Sequence, residues 1–386
     1  MKKGSGLWLY LVKSALSRSD ILKDRTKKPT VTVANMTGRK RSGFMLFLRR
    51  CICEIKQYRP KLKWRKPRRK KAGYTSPKYA FDISVIVCTY NRPEKLKTAV
   101  NSLIGQTLDK SRYEIVIVNN GEGLPEGIES AADNVRVVKE EHKGLSYARN
   151  TGGKCARGRY LVYVDDDIRA DENLLQCIYD AFSAHKNIGI VGGQIILVPP
   201  SPRPEIILEG RETVWSEYTV GYKNFREISR QYEFPYGANF SVEHSVFDSV
   251  GGFDENYGRV GNDYAGGEET AMCFRVLSAG YKIGIEPGAI VYHHVDSSRY
   301  TSEHVRRTIR AGIFTTYRLY KDGYSPSVWN RKYISERVRL ADKEIDRLIR
   351  NGAEKLEVFY KECERDAFKE LAERIDAQEQ KAETAG

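Results

Sequence analysis

Four short apolar runs, each closed by polar residues, constrain this chain most: ISVIVC (83–88), EIVIV (114–118), VRVV (135–138) and YLVYV (160–164). Between them lie stretches of helical character. Pro93 occupies a position favoured in a helix first turn, and Leu96, Ala99, Val100, Leu103 and Ile104 follow at helical spacing. A second helix is expected at 145–156 and a third at 171–185, the latter opening on an acidic first turn. Strands alternating with helices signal a parallel α/β sheet with right-handed crossovers. In such sheets ligands collect beyond the carboxyl ends of the strands. Thr89-Tyr90-Asn91, Asn119-Asn120 and Asp165-Asp166-Asp167 all stand there.

The rest of the chain is less regular. Residues 188–198 read as one or two strands, and 199–204 (PPSPRP) as a loop. Residues 205–235 show no readable pattern. Residues 234–242 and 250–258 read as loops around a short helix. A helix at 268–279 ends at Gly280, and 281–295 reads as strands. Beyond 301 the pattern is helical, and 338–351 and 354–380 are amphipathic and highly charged, without a sustained heptad. The expected organisation is a segment 1–80, a catalytic domain 81–300 and a helical extension 301–386.

Composition narrows the function. With 386 residues, 40% apolar and 30% charged, the chain is neither membrane-embedded nor collagen-like. No apolar run approaches the roughly 20 residues that span a bilayer. The net charge of +15 points toward nucleic acid only until it is divided. Residues 1–80 hold 24 Lys and Arg against 3 Asp and Glu, and the remaining 41 against 47 give −6. The basic front end suits an anionic membrane surface, with Trp8, Phe44, Phe47 and Trp64 available to insert; a solvated basic tail is the alternative. Seven cysteines without a C-x-x-C pair read as reduced, buried thiols of a cytoplasmic protein.

Four groups of residues can carry chemistry. VDDDI (164–168) delivers three carboxylates to one sheet edge. On an extended chain Asp165 and Asp167 point the same way and Asp166 the other, a pairing that suits Mg²⁺ or Mn²⁺ shared with a phosphate. The other reading is a polar strand end that caps the next helix. Gly266-Gly267-Glu268-Glu269 opens a helix on two carboxylates, as a general base or as a complement to the helix dipole. His293-His294 ends a strand, so at most one of the two faces a given site. Arg149, on the helix at 145–156, can meet a phosphate or a base edge, or lie on the surface. There is no Walker-type loop and no G-x-G-x-x-G opening, which argues against a kinase, an ATPase or a dinucleotide enzyme.

In this order and spacing, ISVIVCTYNRPEKL, EIVIVNNG, GLSYARNTGGKCARGRYLVYVDDDI, GGFDENYG and GGEETAMCFRVLSAGYKIGIEPGAIVYHH resemble the family 2 nucleotide-sugar glycosyltransferases. The resemblance covers residues 82–295. It implies a GT-A fold with a central, mostly parallel sheet. It places Thr89, Tyr90, Asn91, Arg92, Asn119, Asn120, Arg149, Asp165, Asp166 and Asn239 around the nucleotide-sugar donor. It makes Asp165, Asp167 and His293 the metal ligands and puts Glu269, with Glu268 beside it, at the catalytic base. Two positions depart from the family: Asn119 stands where relatives usually have aspartate, and Glu269 is one methylene longer than the usual base.

The resemblance implies an inverting, Mn²⁺- or Mg²⁺-dependent transfer of a sugar to a glycan or lipid-linked acceptor. The Q-x-x-R-W motif of processive synthases is missing, so transfer of one residue or few per encounter is expected. With the basic front end, the expected place is the inner face of the cell membrane, in surface-polysaccharide synthesis. The C-terminal helices offer a possible oligomer contact, and no nucleic-acid partner is expected. Two alternatives are an inactive scaffold, suggested by Asn119 and Glu269, and a basic nucleic-acid-binding protein, which the acidic body disfavours. A pyrophosphorylase would need a glycine-rich basic loop after the first strand, and CTYNRPEK has none.

Overall fold

The computed structural model describes residues 79–259 and 266–384. The reading of residues 1–80 as a membrane-surface segment, with Cys51 and Cys53, lies outside the described residues except for its last two positions.

The four apolar runs form β1 (Phe81–Thr89), β2 (Tyr113–Asn119), β3 (Val135–Lys139) and β4 (Gly158–Asp165), all parallel in the order β3-β2-β1-β4. Their side chains divide by the period of two that an extended chain imposes. Val85, Val87, Ile115, Ile117, Val162 and Val164 enter one core. Ile86, Val116, Val118, Leu161 and Tyr163 enter the other. Both sheet faces are therefore dry, which is why the middle of each central run is apolar on both faces.

Helices α1 (Pro93–Ile104) and, further on, α3 (Leu174–Ala184) cover the first face with Leu96, Val100, Leu103, Leu175 and Ile178. The second face is covered by α2 (Leu145–Cys155), α4 (His244–Val250) and α5 (Glu268–Ser278). Gly152 explains how closely α2 lies on the sheet. A Cβ there would stand 2.4 Å from Ile86 Cγ2.

The far half of the sheet is mixed. β5 (Ile168–Ala170), β6 (Ile188–Leu197), β7 (Arg226–Ile228), β8 (Phe240–Glu243) and β9 (Lys282–His293) complete it. β8 runs antiparallel between β4 and β6, and β6 pairs in parallel with β9. Residues 240–242 thus belong to the sheet and not to a loop. The strand is four residues long, with Ser241 fully buried between apolar neighbours, so it carries no alternation of buried apolar and exposed polar positions. Residues 282–293 form one strand that continues through Pro287, where the β6–β9 register shifts past Gly192 and absorbs the missing N–H. The third helix begins at Leu174. Asp171 precedes it and accepts from the Asn173 N–H, so the acidic residues lie in the turn and not in the first helical turn.

The edge opposite the strand ends is locked by Glu114, which is fully buried. Its carboxylate accepts from Ser84 Oγ (2.6 Å), Arg136 Nε (2.8 Å), Arg157 N (2.6 Å) and Arg157 Nη2 (2.8 Å). Burial alone would raise its pKa, but these donors hold it below the usual carboxylate range. Unpairing such a group costs about 3–5 kcal/mol, so this cluster fixes the relative height of β1, β2 and β4.

The C-terminal extension consists of α6 (Ser302–Lys321), α7 (Arg331–Arg350) and α8 (Lys355–Thr384). It packs on the body. Tyr360 and Cys363 of α8 share a core with Leu197, Ile207, Trp215 and Val305, and Tyr360 Oη donates to Ile206 O (2.8 Å). Phe368, Leu371 and Ile375 of α8 pack with Ile334 of α7. The ion pairs Arg310–Glu370 and Arg331–Asp376 are partly exposed, so apolar burial dominates. Among the described residues no helix is long and apolar enough to cross a membrane. The described cysteines are free, but Cys155 is exposed, against the expectation that the thiols are buried; it ends α2 on the solvent side.

Candidate active site

Because β1, β2, β4 and β9 run the same way, their ends bring Thr89, Asn119, Asp165 and His293 to one edge. Asp165, Asp167 and His293 each place one donor atom within 4.8 Å of the others. The convergence does not come from strand alternation. β4 ends at Asp165, and a two-residue turn carries Asp166 and Asp167 before β5 begins. That turn also brings Asp166 inward, where it accepts from Thr89 Oγ1 (2.8 Å) and Arg92 Nη1 (3.2 Å).

His293, not His294, faces the site. Its Nε2 lies 3.2 Å from Asp167 Oδ1, and its Nδ1 lies 3.0 Å from Trp215 O. The carbonyl accepts only from a protonated Nδ1, so it fixes the ring and turns Nε2 toward the carboxylates. Burial alone would raise the Asp167 pKa, but the hydrogen bond and charge of His293, then Arg92, hold it below the usual range. Asp166 goes the other way, up to about 6, through burial and then the charge of Asp167. Two carboxylates and an imidazole form a donor set that first-row divalent ions accept.

Arg149 joins this cluster to a second one. It is 3% exposed, and its Nη2 lies 3.6 Å from Asp165 Oδ1. Its Nη1 donates to Glu268 Oε1 (2.8 Å) and Glu269 Oε1 (2.9 Å). Both glutamates open α5, whose N-cap Gly267 takes φ 102°. Glu268 is buried, and its Oε2 has no hydrogen-bond partner among the described residues. Burial and then the charge of Glu269 push its pKa up to about 7. The Glu269 side chain is 17% exposed, so it is the member of the pair that another molecule can reach. A Cβ on Gly237 would stand 2.0 Å from Arg149 Nη2 and 2.1 Å from Glu269 Oε1, so only glycine fits beside the pair.

The other residues singled out from sequence are at the same edge in different states. Tyr90 is exposed. Asn91, at φ 55°, accepts from Glu122 N (2.8 Å), and Asn119 Oδ1 accepts from Gly121 N (3.0 Å). Asn120 donates to Glu140 O (2.9 Å) and His142 O (2.8 Å) and accepts from Gly144 N (2.9 Å), so its side chain is used within the protein. Asn239 donates to Gln194 O and Ala289 O, both at 3.0 Å, and its buried Oδ1 has no partner. The sequence reading omits Lys95, whose Nζ is 4.0 Å from Asp167 Oδ2 and 3.6 Å from Asp296 Oδ2. A cation one turn after Arg92 on the same helix was the available signal. It also omits Trp215, which lies in the segment without periodicity.

Residues 84–251 match the model of glycosyl transferase family 2. The chain is 30% identical over 201 residues to the glucosyl-dolichyl phosphate glucuronosyltransferase of Haloferax volcanii, covering 50% of this chain and 63% of that relative. It is 30% identical over 125 residues to glycosyltransferase AglE of the same organism, covering 31% of this chain and 41% of the relative. The chain thus spans less than two thirds of either relative. Among solved structures, the mannosyltransferase PcManGT of Pyrobaculum calidifontis, in complex with GDP-Man and Mn²⁺, aligns with TM-score 0.46 and 17% identity over 72% of each chain.

Proposed function

From the premise that residues 84–251 are a family 2 glycosyltransferase domain on a GT-A sheet, we propose that the chain moves a sugar from a nucleotide-diphosphate donor to an acceptor hydroxyl, with inversion. The observation that carries this reading is one buried arginine, Arg149, with a possible metal triad at one end and a reachable carboxylate at the other. Asp165, Asp167 and His293 would hold Mn²⁺ or Mg²⁺, which would supply positive charge against the departing diphosphate. Glu269 takes the proton of the acceptor hydroxyl while its oxygen bonds to the anomeric carbon. The bond from that carbon to the phosphate oxygen breaks, and its electron pair leaves on the diphosphate. Glu268 is too enclosed to meet the acceptor and tunes Arg149 instead.

On the donor side, exposed Tyr90 offers a stacking face to a base. Asn91, Asn119 and Asn120 shape the loop beneath it, and Arg92, Asp165, Asp166 and Asn239 border the rest of the donor. The donor reading is tested by thermal melts of the full chain with UDP, GDP and dTDP, with and without Mn²⁺. At a hundredfold excess over Kd, one diphosphate is expected to raise Tm on the order of 5 °C, and only with the metal. No shift with any of the three overturns the proposal.

The named substrate of the Haloferax relative, a glucosylated dolichyl phosphate, supports a lipid-linked glycan as acceptor. The excess of basic residues in 1–80 supports work at the inner membrane face, in surface-glycan assembly. The full chain is expected to float with liposomes rich in anionic lipid, and a chain lacking residues 1–75 is expected to stay below them while binding donor unchanged. Equal flotation of both counts against membrane binding through the leader. Whether the C-terminal helices also join copies of the chain is a question for the same preparation by light scattering.

A further inference from the structure

Three large aromatic side chains stand exposed among the described residues: Tyr90 at 46%, Tyr232 at 72% and Tyr236 at 37%. Tyr90 follows β1 on the donor side. Tyr236 immediately precedes Gly237, which lies close against both Glu269 and Arg149. The 236–237 segment lies against the Arg149–Glu269 pair, where a Cβ on Gly237 would stand 2.1 Å from Glu269 Oε1. Tyr236 is therefore next to the carboxylate proposed as base. Burial, then the charge of Glu269, raises its phenol pKa, consistent with that closeness.

The ring is held. Tyr218 packs edge-on against it at 5.4 Å and 64°. Tyr218 is itself fixed by two backbone hydrogen bonds with Ile195 (2.8 and 2.9 Å) and by its Oη, which donates to Glu233 O (2.6 Å). A rigid tyrosine that keeps more than a third of its surface exposed, next to a proton acceptor, can serve as a stacking platform.

Resting on the function proposed above, we propose that Tyr236 is the acceptor platform, and that the group stacked on it is a pyranose ring whose hydroxyl points at Glu269. The surrounding charge selects a sugar over a bare lipid phosphate. A phosphate oxygen is already an anion. It needs no base, and the Glu269 carboxylate repels it. Arg149, the cation nearest the base, is occupied by Glu268, Glu269 and Asp165. A neutral ring with apolar C–H faces meets no such penalty and gains from an aromatic face.

The experiment is saturation-transfer NMR on the full chain with Mg²⁺ and the nucleoside diphosphate that shifts the melt. The probes are methyl glucopyranoside, galactopyranoside, mannopyranoside and glucuronide, with farnesyl phosphate as competitor. At least one pyranoside is expected to bind the wild type and Tyr236→Phe with similar affinity. Tyr236→Ala is expected to weaken it roughly tenfold, with diphosphate affinity within twofold and Tm unchanged. Pyranoside binding that survives Tyr236→Ala overturns the proposal. So does farnesyl phosphate binding where no pyranoside binds, or a wild type that binds diphosphate and no pyranoside. Failure to bind any diphosphate overturns the donor reading first and is read separately.

Discussion

Asp167→Asn is expected to weaken Mn²⁺ binding, measured by calorimetry in the presence of the nucleoside diphosphate, on the order of a hundredfold or more, and transfer is expected to fall with it. The substitution keeps shape and removes charge. Asp167 Oδ1 faces His293 Nε2 at 3.2 Å, while Oδ2 faces Arg92 Nη1 at 3.3 Å. An amide oxygen is a weak ligand for a hard cation, and its NH₂ cannot accept from Arg92. Asp166→Asn serves as the contrast. Its carboxylate is held by Thr89 and Arg92 outside the triad, so metal affinity is expected to change less than tenfold. Metal affinity within threefold of wild type in Asp167→Asn would remove Asp167 from the ligand set. The metal-free chain has its own signature. His293 and Arg92 hold the Asp167 pKa below that of an unfolded aspartate. The stability it confers is present above about pH 4 and is lost as pH falls further. Asp167→Asn is therefore expected to lower Tm at pH 7 and to flatten its decline in acid.

Much of the site was legible because chemistry and fold share one signal. An apolar strand that stops at Asp165 announces both a sheet edge and a candidate site residue. The same holds for Thr89, Asn119 and His293, and the structure brings all four strand ends together. What was not legible depends on contacts far apart in sequence. Nothing local in Trp215 says that its carbonyl holds the His293 ring 78 residues away. Nothing in ANFSV distinguishes a loop from a four-residue strand until β4 and β6 close around it. The turn at Asp166-Asp167 is the sharpest case. Alternation along an extended chain pairs the two carboxylates that the structure brings together, but not by alternation, since only Asp165 is in the strand. Arg149 read as a cation for a phosphate. In the fold it is buried among three carboxylates, Asp165, Glu268 and Glu269.

That arrangement gives the second large effect. Glu269→Gln is expected to lower kcat 10²- to 10⁴-fold, the usual worth of a positioned base, with donor KM and Mn²⁺ affinity within a few-fold. Glu269→Asp is expected to retain part of the rate, because the carboxylate survives but is drawn back by one methylene. Glu268→Gln separates the partners. Burial and the neighbouring Glu269 charge push the Glu268 carboxyl up to about 7. Below that pH it is protonated, and Arg149 is left to hold Glu269 and Asp165. Above it, the second carboxylate competes for Arg149 and loosens its hold on Glu269. The rate is therefore expected to climb as pH rises through about 7 in the wild type. In Glu268→Gln this limb is expected to disappear, leaving a flat, reduced rate over the same range. A Glu269→Gln enzyme that keeps more than a tenth of its rate, beside an inactive Glu268→Gln, would transfer the role of base to the buried residue. It would also require the helix start at Gly267 to open before the acceptor can reach it.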